Sequence, residues 1–250
     1  MEWRDEGIVL GARRHGETSA ILEVMTAAHG RHLGLVRGGR SRRLQPVLQP
    51  GNAVALHWHA RLDEHLGVFT VEPLALNSGR FFDAACAIHG IQLAAAHLRH
   101  LPERDPHASL YEALGLLIGH LSEPLPSAEI LVRFELLLLE ELGFGLDLER
   151  CAVTGDPADL AFVSPKTGRA VSAAAGQPWA DKLLVLPPFL RAGSGIRADI
   201  ETASLAFRLT GHFLARHVWE PRGEEPPTAR TGFLAALAKS ANAAKEGDAA

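Results

Sequence analysis

An arginine-rich segment between residues 31 and 43 has the composition of a polyanion-binding site. No Asp or Glu occurs between Glu23 and Asp63, so these arginines have no acidic neighbour along the chain. The whole chain has a formal net charge of -4, and the segment is therefore a local patch of positive potential. Guanidinium groups bind phosphate through paired hydrogen bonds, and glycines at 38 and 39 let backbone amides approach a phosphate. The segment predicts a DNA-binding site whose phosphate contacts are Arg31, Arg37, Arg40, Arg42 and Arg43.

Two other interpretations of these arginines stay open. They could belong to a solvated loop and pair with acids from distant parts of the chain. They could also contact an acidic protein, which would make the chain a protein-binding scaffold without DNA binding. Competition by nucleic acid distinguishes this last alternative from a DNA-binding protein.

His57 and His59 form a second candidate site, because side chains two residues apart share one face of a strand. Trp58 then points to the opposite face, into the core. We interpret the two histidines as a polar face that adds to the DNA-binding surface. A His-x-His pair can also begin a metal site, so a metal-dependent hydrolase using His57 and His59 is an alternative function. No further ligand follows at close spacing, and we therefore predict no metal.

Cys151 opens a segment with the shape of a zinc knuckle that has lost most of its ligands. A structural zinc site needs about four Cys or His ligands. Thr154 stands where a Cys-x-x-Cys pair would place its second sulfur, and Ser172 and Ala175 occupy the places of the other pair. With one thiol left, we predict neither zinc nor any other cofactor. We expect Cys151 and Cys86 to be free thiols.

Arg133 lies within the most apolar predicted helix, where an unpaired guanidinium would be strongly unfavourable. The side chain must reach water, pair with an acid or line a groove. In the last case, Arg133 and Phe134 would form a pocket for an acidic peptide of a partner. The sequence contains no nucleophile elbow, P-loop or His-Glu-x-x-His helix, so we predict no catalytic residue and no enzyme.

Short strands carry the first two candidate sites. Before residue 73, alternating apolar residues recur in segments separated by turns that contain Gly or Pro, at residues 7–10, 19–24, 31–36, 53–58 and 66–71. Strands of this number, length and spacing are typical of a small antiparallel barrel and indicate an OB-fold. Arg31 then lies on the third strand, and the other arginines of the segment lie in the loop after it.

Helical periodicity replaces this alternation after residue 77. Helices are predicted, the third with Ser127 as its N-cap, over residues 80–98, 110–121, 129–142, 199–219 and 229–241. The predicted fold class is α+β, with an OB-fold domain at 1–76 and an α-helical domain at 77–242. A degenerate zinc-knuckle-like loop is inserted at about 151–188, and residues 243–250 are predicted to be disordered. No signal peptide or membrane-spanning run is visible, which favours a soluble cytosolic protein.

Several of these segments also resemble one bacterial protein family. Glu6-Gly7-Ile8-Val9-Leu10, Gly16-Glu17-Thr18-Ser19, Gly30-Arg31, Val36-Arg37-Gly38-Gly39-Arg40-Ser41 and Leu48-Gln49-Pro50-Gly51 are similar to the amino-terminal domain of the RecO family of DNA repair proteins. The stretch from Arg133-Phe134-Glu135-Leu136 through Leu142-Gly143-Phe144 to Cys151 resembles the helical domain of that family. The resemblance covers nearly the whole chain, in order.

The resemblance implies a recombination mediator that acts after DNA damage, and not an enzyme. Proteins of this family bind single- and double-stranded DNA and anneal complementary strands. They also bind the acidic tail of single-stranded DNA-binding protein and join RecR to help load RecA, so the expected location is the cytoplasm, with the nucleoid. Several members hold zinc through four cysteines, and this chain departs from that pattern at Thr154, Ser172 and Ala175.

Overall fold

A closed barrel of five strands forms the amino-terminal part of the protein. The computed structural model describes residues 1–247, with side chains described through residue 240. The strands are β1 (Glu2–His15), β2 (Ser19–Thr26), β3 (Gly30–Val36), β4 (Ala53–His59) and β5 (Val68–Ala75). All five predicted strands are confirmed, although β1 begins earlier and ends later than the sequence predicted.

Strand β1 organises the barrel because it pairs with two neighbours. Its first half pairs with β4, and its second half continues along β2. A bulge between Val9 and Gly11 shifts the register of the β1–β2 pairing. A parallel rung between Leu35 and Val68 joins β3 to β5 and closes the barrel.

Alternate residues of the strands fill the barrel core. Val54, Leu56 and Trp58 of β4 are buried, whereas His57 and His59 lie on the outer face, as the alternation predicted. The indole N–H of Trp58 donates a hydrogen bond to a loop carbonyl at 3.1 Å, so the buried ring leaves no polar atom unpaired. Full burial of such large side chains contributes roughly 1.5–3 kcal/mol each to folding.

Two helices belong to the same compact unit as the barrel, and this unit ends at Ser122. They are α1 (Ala85–Leu98) and α2 (Ala108–His120). A short 3-10 turn over Asn77–Arg80 precedes α1, so α1 begins later than the predicted start at residue 80. The helices contact β1 and β2. The domain boundary that the sequence places after residue 76 stays a prediction.

The second compact unit, which begins at Glu123, is mainly helical. Its helices are α3 (Pro124–Glu141), the single turn α4 (Ala173–Gly176), α5 (Ile200–Leu214) and α6 (Thr228–Gly247). Helix α3 packs against α5 and α6. The prediction of Ser127 as its N-cap was wrong, because the helix begins at Pro124, where a missing N–H costs no hydrogen bond.

A small sheet occupies the predicted inserted loop at about 151–188. Its strands are β6 (Leu160–Val163), β7 (Ala170–Ser172) and β8 (Leu184–Val185), with β6 in the centre. Helix α5 passes into a π-helical turn over Ala215–Trp219, within the predicted helix over 199–219.

The predicted α+β fold class is confirmed by the barrel and the helical unit that follows it. Helix α6 continues to Gly247, so residues 243–247 are helical where the sequence predicted disorder. Residues 248–250 of that predicted tail lie outside the described residues. Within residues 1–247, no helix is both long and apolar enough to cross a membrane.

Candidate nucleic-acid interface

The loop at residues 37–51, between β3 and β4, carries most of the predicted phosphate contacts, and we call it the arginine loop. It is a series of tight turns, one of which places Gly38 at φ 66° in the left-handed region that favours glycine. Val47 and Leu48 anchor the loop in the barrel core. The side-chain amide of Asn52 donates a hydrogen bond to the carbonyl of Val47 at 3.1 Å. The arginines therefore project from a backbone that is tied to the barrel.

Three of the predicted phosphate contacts are free to bind a ligand. Arg37, Arg42 and Arg43 are exposed, and in the described part of the chain none has a hydrogen-bond or ion-pair partner for its side chain. Guanidinium groups keep their charge at any physiological pH, so these side chains form a persistent positive surface. They can contact a phosphate without breaking an existing interaction.

Arg40 is instead held by the turn between β1 and β2. Its Nη1 donates hydrogen bonds to the carbonyls of Gly16 at 3.1 Å and Glu17 at 2.5 Å. Its backbone N–H donates to the carbonyl of Thr18 at 3.0 Å. Arg40 therefore ties the arginine loop to the β1–β2 turn, and its first role is structural.

Arg31 forms an ion pair instead of projecting into solvent. Its Nη1 lies 3.1 Å from Oε1 of Glu23, and the two side chains are 14% and 13% exposed. Its Nη2 also donates to the carbonyl of Leu101 at 3.3 Å. The pairing joins adjacent strands, β2 and β3. Glu23 lies just before the acid-free stretch, so the composition of that stretch did not reveal the ion pair.

Two exposed arginines that the sequence analysis missed lie beside the arginine loop. Arg13 and Arg14 lie near the end of β1, and among the described residues neither side chain has a hydrogen-bond or ion-pair partner. Together with Arg40 they line a groove of about 500 Å³ over Gly11, which we call the arginine groove. Gln45 and Gln49 of the arginine loop line its other side. The predicted first strand ends at residue 10, because Gly11 and Ala12 interrupt its apolar alternation. The prediction therefore does not place Arg13 and Arg14 on a strand of the barrel.

The two histidines of β4 lie on another part of the barrel. His57 is paired with Arg4 of β1 in the sheet, about 30 Å along β1 from Arg13 at the usual rise of a strand. Its Nε2 lies 3.5 Å from a carboxylate oxygen of Glu2. The groove beside His57 also contains Asp5, Glu6 and Glu72. Arg4 also lines this groove, so the structure places both acidic and basic side chains beside His57. The contribution of His57 and His59 to DNA binding stays a prediction.

The histidines also lack the neighbours that a metal site requires. The rings of His57 and His59 are tilted, with centroids 6.1 Å apart. Among the described residues, no group of three or more His, Cys, Asp and Glu side chains is arranged to hold a metal ion. The alternative of a metal-dependent hydrolase therefore finds no ligand set in the described part of the chain.

In the second unit, Arg133 is paired and Phe134 is buried. Arg133 Nη1 lies 2.7 Å from Oε1 of Glu129, and Nη2 donates to the carbonyl of Phe189 at 2.8 Å. Phe134 is 1% exposed, so it cannot contact a docked peptide. This corrects the predicted pocket of Arg133 with Phe134. The groove of about 270 Å³ beside Arg133 is lined instead by other residues of the unit: Leu136, Leu137, Glu140, Leu146, Leu148 and Glu149.

The segment that the sequence likens to a zinc knuckle contains a hydrogen-bonded thiol. Cys151 Sγ lies 3.5 Å from the hydroxyl of Ser172 and accepts a hydrogen bond from the Ser172 backbone N–H at 3.2 Å. Burial raises the pKa of the Cys151 thiol, but hydrogen bonds from Ser172 and Thr154 outweigh it and lower the pKa to about 6. Two residues that replace cysteines of the knuckle pattern thus stabilise the remaining sulfur.

The fold defines an OB-barrel protein with a second, helical unit. Comparison with protein families matches residues 1–76 to "Recombination protein O N terminal" and residues 81–225 to "Recombination protein O C terminal". The chain belongs to the RecO family.

Curated relatives agree over nearly the full length. The chain is 67% identical over 240 residues to the DNA repair protein RecO of Chelativorans sp. (strain BNC1), covering 96% of this chain and 97% of that protein. It is 66% identical over 239 residues to the DNA repair protein RecO of Mesorhizobium japonicum, covering 96% and 94%. It is 60% identical over 243 residues to the DNA repair protein RecO of Brucella abortus (strain 2308), covering 97% and 98%.

Proposed function

We propose that this protein is a DNA-binding recombination mediator in DNA repair, acting at the nucleoid. It binds single- and double-stranded DNA through the exposed arginines of the barrel and anneals complementary strands. Together with RecR it helps to load RecA onto DNA covered by single-stranded DNA-binding protein. The observation that carries the proposal is a set of exposed arginines whose side chains have no partner among the described residues. Arg13 and Arg14 line the arginine groove, and Arg37, Arg42 and Arg43 belong to the arginine loop.

The chemistry of this surface favours contact with the phosphate backbone. Arginine forks match phosphate oxygens, whereas base stacking needs exposed aromatic faces. Among the aromatic residues of the barrel strands, Trp58 and Phe69 are 0% and 2% exposed, so neither ring offers a stacking platform. Trp3 is half-buried, and His29 stacks on its ring with centroids 4.0 Å apart. Binding should therefore tolerate any sequence and depend steeply on salt. Strands held by their phosphates keep their bases available for pairing, which supports the annealing activity.

The partner interactions are inferred from the family. An acidic tail of single-stranded DNA-binding protein could use Arg133, whose side chain remains 46% exposed. It would have to compete there with the carboxylate of Glu129, which already binds the guanidinium. We propose that the protein breaks no covalent bond and has no catalytic site of its own.

The proposed DNA site can be tested by fluorescence anisotropy of a labelled single-stranded oligonucleotide at several salt concentrations. The variant Arg37→Ala/Arg42→Ala/Arg43→Ala removes three exposed charges and leaves the structural contacts of Arg31 and Arg40 intact. We expect at least about a tenfold loss of affinity and a salt slope reduced by about 2, since each phosphate contact to a single strand contributes roughly 0.7.

A matched control removes the same charge elsewhere. Arg61, Arg80 and Arg208 are also exposed and have no partner for their side chains among the described residues. The variant with all three changed to Ala should retain most of the affinity. Equal losses of affinity in both variants would mean that the total charge of the protein, and not this site, determines DNA binding. An unmodified protein that fails to bind DNA at low salt would contradict the proposed function itself.

A further inference from the structure

A second groove adjoins the arginine groove on the outer face of β1, β2 and β3. It has a volume of about 470 Å³, and we call it the Glu23 groove. Gly11, Ala12 and Arg13 line both grooves. The two grooves therefore meet along one short stretch of β1. Arg13 at the junction is exposed, and its side chain has no partner among the described residues.

Arg99 enters the Glu23 groove from the end of α1. Its Nε and Nη2 donate to Oε2 of Glu23 at 3.0 and 2.8 Å, and the side chain remains 48% exposed. Glu23 thus fixes the orientation of the guanidinium through one edge. Nη1 of Arg99 has no hydrogen-bond partner in the described part of the chain and remains available to a ligand.

The charge of the Glu23 groove suits an anion despite the carboxylate. Glu23 is neutralised by Arg31 and Arg99 together, and Arg13 adds a further positive charge at the rim. The floor is made of small and apolar residues, namely Gly11, Ala12, Ile21 and Leu33. A positively charged groove can follow the phosphates of a single strand. The apolar floor of this groove can accommodate the sugars and leaves the bases free to pair.

We propose that the Glu23 groove is a second segment of a single-stranded nucleic-acid path. The strand leaves the arginine groove, crosses β1 at Gly11–Arg13 and continues into the Glu23 groove, where Arg99 contacts a phosphate. Glu23 is a positioning residue that holds Arg99 in the required orientation. The proposal rests on the proposed function and extends its site to residues outside the arginine loop.

The arrangement favours a single strand over the other anionic polymers. Duplex DNA has a persistence length of about 150 base pairs and cannot bend over one β-strand at low cost. A single strand is flexible enough to follow both grooves. An acidic peptide would satisfy the charges as well, but the continuity of the Glu23 groove with the arginine groove links it to the same ligand.

The proposal can be tested through the dependence of affinity on oligonucleotide length. We would compare oligothymidylates of about 5 and about 20 nucleotides, because one OB-fold covers roughly 4–16 nucleotides. Arg99→Gln should weaken binding of the long oligonucleotide by about fivefold or more and reduce its salt slope by about 0.7. Binding of the short oligonucleotide, which the arginine groove alone can hold, should change less than twofold.

Control variants separate the possible outcomes. Arg99→Lys keeps the charge and should recover part of the affinity for the long oligonucleotide, while Arg61→Gln should leave both lengths unaffected. Equal affinities of the native protein and Arg99→Gln for the long oligonucleotide would overturn the proposal. Equal losses of affinity for the two oligonucleotides would also overturn the proposal. Binding of a polyglutamate peptide at Arg99 in place of the oligonucleotide would do the same. If the native protein binds neither oligonucleotide, the result contradicts the proposed function itself and not only the role of the Glu23 groove.

Discussion

Glu135 and Arg230 form a buried ion pair that joins α3 to α6. Arg230 Nε lies 3.1 Å from Oε1 of Glu135, and the two side chains are 12% and 0% exposed respectively. The hydroxyl of Thr210 on α5 donates a hydrogen bond to the other carboxylate oxygen. Three helices of the second unit thus meet at one charged cluster inside an apolar core.

Loss of this pair should be costly, because a buried charge without a partner is strongly unfavourable. We expect Arg230→Leu, which removes the positive charge beside the buried Glu135 carboxylate, to lower the free energy of unfolding by about 3–5 kcal/mol in urea denaturation. Asp147→Asn removes one partner of the exposed pair of Asp147 with Arg169, whose side chains are 46% and 49% exposed. This control should cost at most about 1 kcal/mol. Similar losses in the two variants would contradict the central role of the buried pair.

Replacement of Arg40 should affect folding more than replacement of its neighbours. Arg40→Ala removes the hydrogen bonds to the carbonyls of Gly16 and Glu17, and we expect a loss of about 1–2 kcal/mol in stability. Arg42→Ala should stay within about 0.5 kcal/mol, because this side chain is exposed and unpaired among the described residues. Thermal unfolding of both variants, measured beside their DNA affinities, separates the structural from the binding contribution.

His32 should make the barrel sensitive to acid. The side chain is 2% exposed among Trp3, Trp58 and Phe69. Burial, assisted by the charge of Arg104, lowers its pKa to about 4 although a hydrogen bond to a backbone carbonyl opposes the shift. The unfolded chain takes up a proton near pH 6.5, before the folded protein does, so stability falls as the pH drops from about 6.5 to about 4.

The expected loss from His32 is about 3 kcal/mol at pH 4 relative to pH 7. Urea denaturation of the native protein and of His32→Gln over this range measures it, since the variant should show a flatter profile by that amount. His59→Gln, which alters an exposed histidine, should keep the native profile. A native profile in His32→Gln would show that other groups account for the acid sensitivity.

Two glycines should respond to the same substitution with opposite signs. A Cβ at Gly34 of β3 would lie 2.4 Å from Cδ2 of the buried Phe69 ring, so Gly34→Ala should cost about 1–3 kcal/mol. A Cβ at Gly115, in the interior of α2, would meet nothing within 4 Å. Gly115→Ala should therefore stabilise the protein by about 0.5–1 kcal/mol, as measured by chemical denaturation. Destabilisation by Gly115→Ala would mean that α2 lacks the regular geometry described.

The sequence predicted the barrel well because strand alternation is a local signal. Val54, Leu56 and Trp58 are spaced so that only a strand buries all of them on one side. Capping was harder to predict. Ser127 has a good capping side chain, but Pro124 three residues earlier allows the helix to begin sooner, and the packing of α3 decides between them.

The candidate site could be predicted only in part. The residue types of the site are visible in one short stretch of sequence, whereas its ion pairs depend on how strands and helices are arranged in space. Arg37, Arg42 and Arg43 follow directly from the acid-free segment. The ion pair of Arg31 with Glu23 depends on the register between β2 and β3, which the composition does not contain. The contribution of Arg99 depends on the return of α1 to the barrel, a tertiary contact that no sequence window includes.

The closure of the barrel between β3 and β5 has a consequence for the order in which it folds. Strands β1, β2 and β3 follow one another in the chain and pair through long antiparallel registers, whereas the seam between β3 and β5 depends on the rung between Leu35 and Val68. Contacts between distant parts of a chain carry a larger entropic cost and form later. The meander of β1 to β3 should therefore assemble first. The pairing of β4 with β1 and the docking of β5 against β3, which both join distant parts of the chain, should follow and convert an open sheet into a barrel.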